Sequence, residues 1–197
     1  MKDGDGYRLG LRYLDLGAYI RGQVTGSTEI KHRLQELATQ TGESAQFAVE
    51  ERGRTIVLFR EVSQGGVYSR GRVGRRFHMH QTAAGKAIFA HFSDQWVHEI
   101  VDRYGLPAAT PHTVTDEDAL FDELDAIRDR GVAFNDEEST EGLRSVAAPV
   151  TDPDGDTLGA IAVAGPLHRV NGDRFREGIP DTLRSIVNEL ELNLAYS

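Results

Sequence analysis

Two histidines at alternate positions, His78 and His80, are the first residues of this sequence that could carry chemistry. If they lie on a β-strand, their side chains share one face about 7 Å apart, a spacing that suits two ligands of one metal ion. A third ligand would have to come from His91, Glu50 or Glu137, and no spacing requires any of them. The pair suggests a metal-dependent sensor or enzyme, against the alternative that two of the seven histidines are neighbours by chance.

The second candidate is the start of a predicted helix after Gln81-Thr82. If Thr82 is the N-cap, the backbone N–H groups of Ala83, Ala84 and Gly85 have no partner within the helix, and no bulky side chain shields them. A carboxylate could bind there. The alternative is an ordinary capped helix whose small residues serve only packing.

The third candidate is the acidic run Asn135-Asp136-Glu137-Glu138, followed by Ser139 and Glu141. Carboxylates at this density could bind a cation or act as acid and base. We expect most of them to be solvated loop charges, because nothing apolar surrounds them in the sequence to shift a pKa.

Known enzyme motifs do not match the sequence. Gly85-Lys86 lacks the upstream glycine of a phosphate-binding loop, and Ala87 stands where a magnesium-binding Ser or Thr would be. The chain has no G-x-S-x-G motif and no Cys. We therefore predict no catalytic residue and no cofactor.

A predicted hairpin within 141–166 is the clearest structural element. Two runs of small apolar residues, 146–148 and 160–164, flank a turn in which Asp154-Gly155 supplies the positive φ angles of a tight hairpin. The side chains of both runs are small, so they leave room for a ligand against the sheet.

The remaining pattern predicts a mixture of helices and strands. Helices are predicted over 7–24, 27–42, 83–92, 94–104, 116–130 and 173–194, and strands over 45–49, 55–59, 67–70 and 76–80. Short turns between adjacent strands imply antiparallel pairing. The expected fold class is therefore α+β, with an antiparallel β-sheet flanked by helices.

Charge and length restrict the function classes. The 197 residues form one domain by size, and the formal net charge of −9 argues against nucleic-acid binding by this chain. The arginine cluster Arg70, Arg72, Arg75 and Arg76 is interpreted as an exposed strand edge, where charge blocks edge pairing. Apolar runs are too short for a membrane span or a signal peptide, so we expect a cytoplasmic location and no membrane partner.

Four stretches of the chain resemble the IclR family of bacterial and archaeal transcriptional regulators. They are 7–17 (YRLGLRYLDLG), 80–90 (HQTAAGKAIFA), 131–138 (GVAFNDEE) and 142–166, which ends in Gly-Pro. The resemblance implies a C-terminal effector-binding domain with a GAF-like sandwich over 25–197. It implies that 1–24 is a linker segment and helix, which follows a winged helix-turn-helix that we expect to be absent from this chain.

The resemblance also implies an effector site. The backbone N–H groups of Ala83 and Ala84 would bind the effector's carboxylate, with Asn135 and Ser145 beside it. Members that bind small keto or hydroxy acids have Ser-x-Ser before Gly-Pro, whereas this chain has Ala162-Val163-Ala164. The loss of two hydroxyl donors favours a larger, more apolar or aromatic acid, held against Ala162 and Ala164.

These arguments predict a small-molecule effector-sensing and oligomerisation domain without catalytic activity. The expected partners are an organic acid and further copies of the chain, as a homodimer or homotetramer. DNA would be contacted only through the winged helix-turn-helix. Two alternatives remain at this point: a metal-dependent sensor or enzyme that uses His78 and His80, and a pure dimerisation module.

Overall fold

The computed structural model describes residues 2–3, 6–7, 10–63 and 72–196, which form six α-helices and eight strands. The helices are α1 (Arg12–Gly22), α2 (Ser27–Thr41), α3 (Ala83–Phe89), α4 (Asp94–Tyr104), α5 (Glu117–Arg130) and α6 (Ile179–Ala195). The strands are β1 (Lys2–Asp3), β2 (Gly6–Tyr7), β3 (Ser44–Glu51), β4 (Arg54–Val62), β5 (Arg76–His78), β6 (Ala133–Asp136), β7 (Leu143–Thr151) and β8 (Thr157–Pro166).

Six strands form one antiparallel sheet in the order β5-β4-β3-β8-β7-β6. Strands β1 and β2 pair separately. At the centre of the sheet, β3 pairs with β8, so an N-terminal hairpin and a C-terminal hairpin are joined edge to edge. The predicted α+β class, with an antiparallel sheet flanked by helices, is confirmed.

Alternation along the central strands produces two faces with different side chains. Phe47, Ile161 and Val163 belong to a core formed with α2 and α6. Ala48 and Ala162 belong to a second core formed with α3, α4 and α5. Because successive side chains of a strand point to opposite faces, one face carries large residues and the other carries small ones.

The hairpin β7–β8 confirms the predicted pairing of the two small-residue runs. Its turn differs from the prediction. Five residues, 152–156, connect the strands: the Asp152 side chain accepts hydrogen bonds from the Asp154 and Asp156 N–H groups, at 3.0 and 2.9 Å. Only Gly155 has a positive φ, of 89°, so Asp154 does not adopt the left-handed conformation of a two-residue turn.

Helix α3 packs unusually close to the chain in front of it. A Cβ atom on Gly85 would collide with the backbone carbonyl of Met79 and with the Thr55 hydroxyl. Glycine is therefore required there by space and not by backbone conformation. This contact fixes how the start of α3 sits above the sheet.

Several predicted boundaries are corrected by the structure. The strand predicted over 76–80 ends at His78 and continues as a 3₁₀ turn, Met79–Gln81, so His80 does not lie on the strand. Strand β6 was predicted only as an acidic loop, because it is four residues long and lacks an alternating apolar pattern. The helix predicted over 7–24 is the shorter α1, since Tyr7 lies on β2 and the helix begins only at Arg12; it buries none of its residues.

Two further observations complete the comparison with the sequence. The strand predicted over 67–70 lies outside the described residues. A π-helical turn, Arg174–Gly178, precedes α6, where one continuous helix was predicted. Among the described helices, none combines the length and the apolar character needed to cross a membrane.

Candidate functional site

A cavity of about 50 Å³ lies between the start of α3, the small-residue face of the sheet and the segment that follows β6. This volume holds a few water molecules and is smaller than typical pockets for drug-sized ligands. The lining residues are Gln46, Ala48, Thr55, Val57, Phe77, Thr82, Ala83, Ala84, Asn135, Ser139, Thr140, Leu143, Arg144, Ser145 and Ala164.

Two backbone N–H groups at the start of α3 are available to a ligand. Thr82 is the predicted N-cap, and its hydroxyl oxygen accepts a hydrogen bond from the Gly85 N–H at 3.0 Å. The cap therefore removes Gly85 from the three donors that the sequence suggested. The N–H groups of Ala83 and Ala84 have no partner among the described residues, and both residues line the cavity.

Neighbouring strands supply the floor of the cavity. Asn135 pairs with Ser145, and Ser145 pairs with Ala164, so the three residues cross β6, β7 and β8 in one row. The Asn135 amide nitrogen donates to the Gln81 carbonyl oxygen at 2.7 Å, which ties β6 to the turn before α3. All three residues line the cavity.

Ala162 was expected in the same site, but it does not line the cavity. It lies on the same face of the sheet as Ala164, two residues earlier in β8, where it is 1% exposed. There it packs in the core that includes α3. Five of the six residues predicted to bind the effector line the cavity, and the sixth, Ala162, packs in the core with α3.

Sequence reasoning missed the part of the cavity that β3 and β4 contribute. Gln46 and Ala48 line it from β3, and Thr55 and Val57 line it from β4. No local signal identifies them, because alternation puts Gln46 on the face opposite to its apolar neighbours, where a polar residue predicts a solvent-exposed side chain. Gln46 stands between the fully buried Ala45 and Phe47, which face the opposite core.

The acidic run was expected to be solvated, and for Glu138 this expectation is wrong. Glu138 is 7% exposed and Lys86 is 0% exposed. The Lys86 ammonium donates to both Glu138 carboxylate oxygens at 2.8 and 2.6 Å, and to Glu123 at 3.0 Å. Burial raises the pKa of Glu138, and the positive charge of Lys86 opposes that increase.

Further hydrogen bonds hold the segment 137–142, which we call the β6–β7 loop. The Thr113 hydroxyl donates to the Glu138 carbonyl oxygen at 2.6 Å, and the Thr110 hydroxyl donates to that of Glu137 at 2.8 Å. Glu137 has a positive φ of 63°, which is unfavourable for a residue with a side chain. Because Ser139 of this loop lines the cavity, these bonds also fix one cavity wall.

The two histidines are not arranged as a metal site. The rings of His78 and His80 meet edge to face, with centroids 5.6 Å apart. The His80 Nε2 atom lies 3.1 Å from the Pro107 carbonyl oxygen, so this nitrogen carries the hydrogen in the neutral ring. Within the described parts of the chain, no group of three or more His, Cys, Asp or Glu side chains could hold a metal ion.

Comparison with known proteins decides the family. Residues 24–191 match the family model described as "Bacterial transcriptional regulator IclR C-terminal". The chain belongs to the IclR family. The match covers all the elements that form the cavity, from β3 to β8, and the homologues do not support the metal or enzyme alternative.

Individual IclR-family proteins agree with this assignment. "Probable HTH-type transcriptional regulator ArcR" from Halobacterium salinarum is 31% identical, over 98% of this chain and 75% of that protein. The crystal structure of Thermotoga maritima IclR superposes with a TM-score of 0.88 at 23% identity, covering 99% of this chain and 78% of that one. The inducer-binding domain of PobR from Acinetobacter, a double mutant in complex with 3-hydroxybenzoic acid, has a TM-score of 0.77 at 27% identity, covering 82% and 94%.

Removing the buried ammonium should destabilise the domain. We expect Lys86→Met to lower the free energy of unfolding by about 3–5 kcal/mol, because it leaves Glu138 buried without a counter-charge. Urea denaturation at neutral pH measures this. The double variant Lys86→Met/Glu138→Gln carries no such charge and should regain most of the loss. Equal stability of the single and double variants would contradict the assigned role.

Acid should destabilise the fold through His80. Burial lowers its pKa from 6.5 to about 4, so the native state disfavours the protonated ring. Its contribution to stability is present above about pH 6.5 and is lost as the pH falls towards 4, up to about 3 kcal/mol. In urea denaturation between pH 7 and 5, His80→Gln should reduce this decline. The exposed His168→Gln is the control, and an unchanged His80→Gln profile would refute the prediction.

Proposed function

We propose that residues 25–197 form a small-molecule effector-sensing and oligomerisation domain, and that residues 1–24 form a linker to a winged helix-turn-helix. One observation carries this proposal: Ala83 and Ala84, whose N–H groups have no partner among the described residues, line a cavity together with Ser145 and Ala164. Donors without protein partners at the edge of a cavity are suited to binding an anionic ligand. Helix α3 has only seven residues, so hydrogen bonds from the two N–H groups contribute more to anion binding than the helix dipole does.

The ligand proposed for this cavity is an organic acid. Its carboxylate would accept hydrogen bonds from the Ala83 and Ala84 N–H groups, and its body would lie towards Ala164 and Ala48. The alanine in place of a hydroxyl-bearing residue at position 164 favours an apolar or aromatic body. The complex of the Acinetobacter PobR domain with 3-hydroxybenzoic acid supports this choice.

An aromatic acid is larger than a cavity of about 50 Å³. We therefore expect the β6–β7 loop to move outwards when the acid binds. The mechanism is differential affinity: the acid stabilises one arrangement of the loop and of the associated subunits, and this changes the spacing of the DNA-binding heads. No catalytic step is proposed, and DNA contact is assigned to those heads, acting in the cytoplasm.

Helix α1 supports the proposed oligomerisation. Its apolar side chains are exposed, and no residue of the helix is buried. Leu11 is 83% exposed, Leu14 71% and Ile20 61%. Apolar residues in such density on one short helix are typical of an interface, and a second copy of the helix is the partner we propose.

Enlarging the cavity floor should abolish ligand binding without unfolding the domain. We expect Ala164→Phe to keep its thermal stability within a few degrees, because Ala164 borders space, and to lose the stabilisation that a bound acid gives. Thermal shift with 3-hydroxybenzoate, 4-hydroxybenzoate and glyoxylate measures this. The proposal expects a shift with at least one benzoate.

Ala162→Phe is the matched control. The same substitution two residues earlier fills a close-packed core, and it should cost about 1–3 kcal/mol or more by overpacking. If both variants are equally destabilised, position 164 is ordinary core. If no acid stabilises the wild-type protein, the pure dimerisation module becomes the better interpretation.

The exposed helix should control assembly. Light scattering of the wild-type protein at micromolar concentration should report a dimer or tetramer, and Leu11→Ser/Leu14→Ser/Ile20→Ser should lower the measured mass, because the apolar contact is lost. Leu192→Ser, at a 58% exposed position of α6, is the control and should leave the mass unchanged. A monomeric wild-type protein would exclude the oligomerisation half of the proposal.

A further inference from the structure

Charge is distributed very unevenly along this acidic chain. Residues 62–93 contain none of the 31 Asp and Glu residues, although the formal net charge is −9. The same stretch contains Lys86 and the arginine cluster of residues 70–76. Lys86 is neutralised internally by Glu138 and Glu123. The arginines therefore form a local excess of positive charge that the rest of the sequence does not predict.

Three of the chain's segments bring arginines together around an open concavity of about 680 Å³. They come from the β3–β4 hairpin, from the start of β5 and from the end of α4. The arginines that line it are Arg52, Arg54, Arg75, Arg76 and Arg103. Glu51 is the single carboxylate among the lining residues of this concavity, and it pairs with Arg76. We call this surface the arginine concavity.

Aromatic rings orient several of these guanidinium groups. The Arg54 guanidinium lies 4.3 Å from the centroid of the Tyr104 ring, and that of Arg103 lies 5.3 Å from it. The Arg75 guanidinium lies 4.6 Å from the centroid of the Phe77 ring. Stacking occupies the faces of the planar groups, and the N–H edges of Arg54 and Arg103 can bind planar or tetrahedral anions.

The backbone conformation of one of these arginines, Arg52, is unfavourable for a residue with a side chain. Arg52 has a positive φ of 54° in the turn between β3 and β4, where Asn or Gly would be unstrained. The Tyr104 hydroxyl donates to the Arg52 carbonyl oxygen at 2.7 Å and holds this turn against α4. A side chain kept in an unfavourable backbone region is a reason to look for a function.

Protection of a sheet edge explains only part of the cluster. Strand β5 is an edge strand, which accounts for charge at Arg75 and Arg76. It does not account for Arg52, Arg54 and Arg103, which reach the same concavity from a turn, an interior strand and a helix. Convergence from separate elements indicates a site for an anion.

We propose that the arginine concavity binds a phosphate-bearing small molecule with at least two anionic groups. Arg52, Arg54, Arg76 and Arg103 with one glutamate leave three positive charges, more than one carboxylate would neutralise. Arginine matches phosphate oxygens with two parallel hydrogen bonds, which strengthens the choice of phosphate. A volume of about 680 Å³ is that of a small-molecule site, whereas a DNA duplex is a rod too wide to enter it.

The site is separate from the effector cavity but adjacent to it. Phe77 lines both, and its ring lies under the Arg75 guanidinium. The two ligands would therefore differ in charge and in place: an organic acid under the β6–β7 loop, and a multiply charged phosphate at the hairpin tip. Binding at one site can be tested while the other is blocked.

Isothermal titration of the purified protein with inorganic pyrophosphate tests the proposal. We expect one site per chain whose affinity falls as salt is added, because the contacts are ionic and exposed. Arg54→Gln/Arg103→Gln should weaken binding at least about tenfold, since two charged hydrogen-bond donors are removed. Arg176→Gln/Arg184→Gln removes the same charge elsewhere, with Arg176 also stacked on a ring, and should leave the affinity within about twofold.

Other outcomes would overturn the proposal. Absence of pyrophosphate binding, or equal binding by wild type and Arg54→Gln/Arg103→Gln, would exclude the site. Loss of pyrophosphate binding in Ala164→Phe would place the anion in the effector cavity instead. Tighter binding of a short DNA duplex than of pyrophosphate would assign the surface to nucleic acid. If pyrophosphate does not bind and Arg54→Gln/Arg103→Gln has a lower mass in light scattering than the wild type, the surface is a subunit contact.

Discussion

The close approach of α3 to the sheet is the constraint on which the rest of this structure depends. Gly85 meets the Met79 backbone with no space for a Cβ atom, and Ala162 packs beneath the same helix. Small residues on both sides let a short helix lie fully buried on a sheet, so its first N–H groups end inside the protein and not in solvent. The row of small residues continues along β8 to Ala164, which lines the cavity.

Burying α3 also buries Lys86, and this charge determines the structure of the neighbouring loop. An ammonium removed from water is stable only with carboxylates at hydrogen-bond distance, and Glu138 and Glu123 supply them. Glu138 belongs to the loop whose Ser139 and Thr140 line the cavity, so one loop both neutralises a core charge and encloses the proposed ligand site. Outward movement of the β6–β7 loop would have to disturb the Lys86–Glu138 ion pair. The free energy of this ion pair therefore opposes ligand binding.

Two groups of positive charge in this acidic domain have opposite environments. Lys86 is enclosed and compensated, so its role is structural. The arginine concavity is open to solvent, and its lining holds one carboxylate, that of Glu51, which pairs with Arg76. That difference separates a group that holds the fold together from a surface that we propose for binding. Lys86, Arg75 and Arg76 lie in the acid-free stretch 62–93, whereas Arg52, Arg54 and Arg103 lie outside it.

The sequence by itself determined the elements whose signals are local: the alternation of β3 and β4, the small-residue hairpin β7–β8, and the Thr82 cap of α3. It also predicted five of the residues that line the cavity, with help from the family resemblance. It could not predict strand β6, because four residues with two polar side chains become a strand only when β7 pairs with them. The tertiary structure alone decided that Lys86 meets Glu138, 52 residues away, and that arginines from three segments converge. Propensity and capping act between near neighbours in the chain, whereas burial and ion pairing depend on which distant elements pack together.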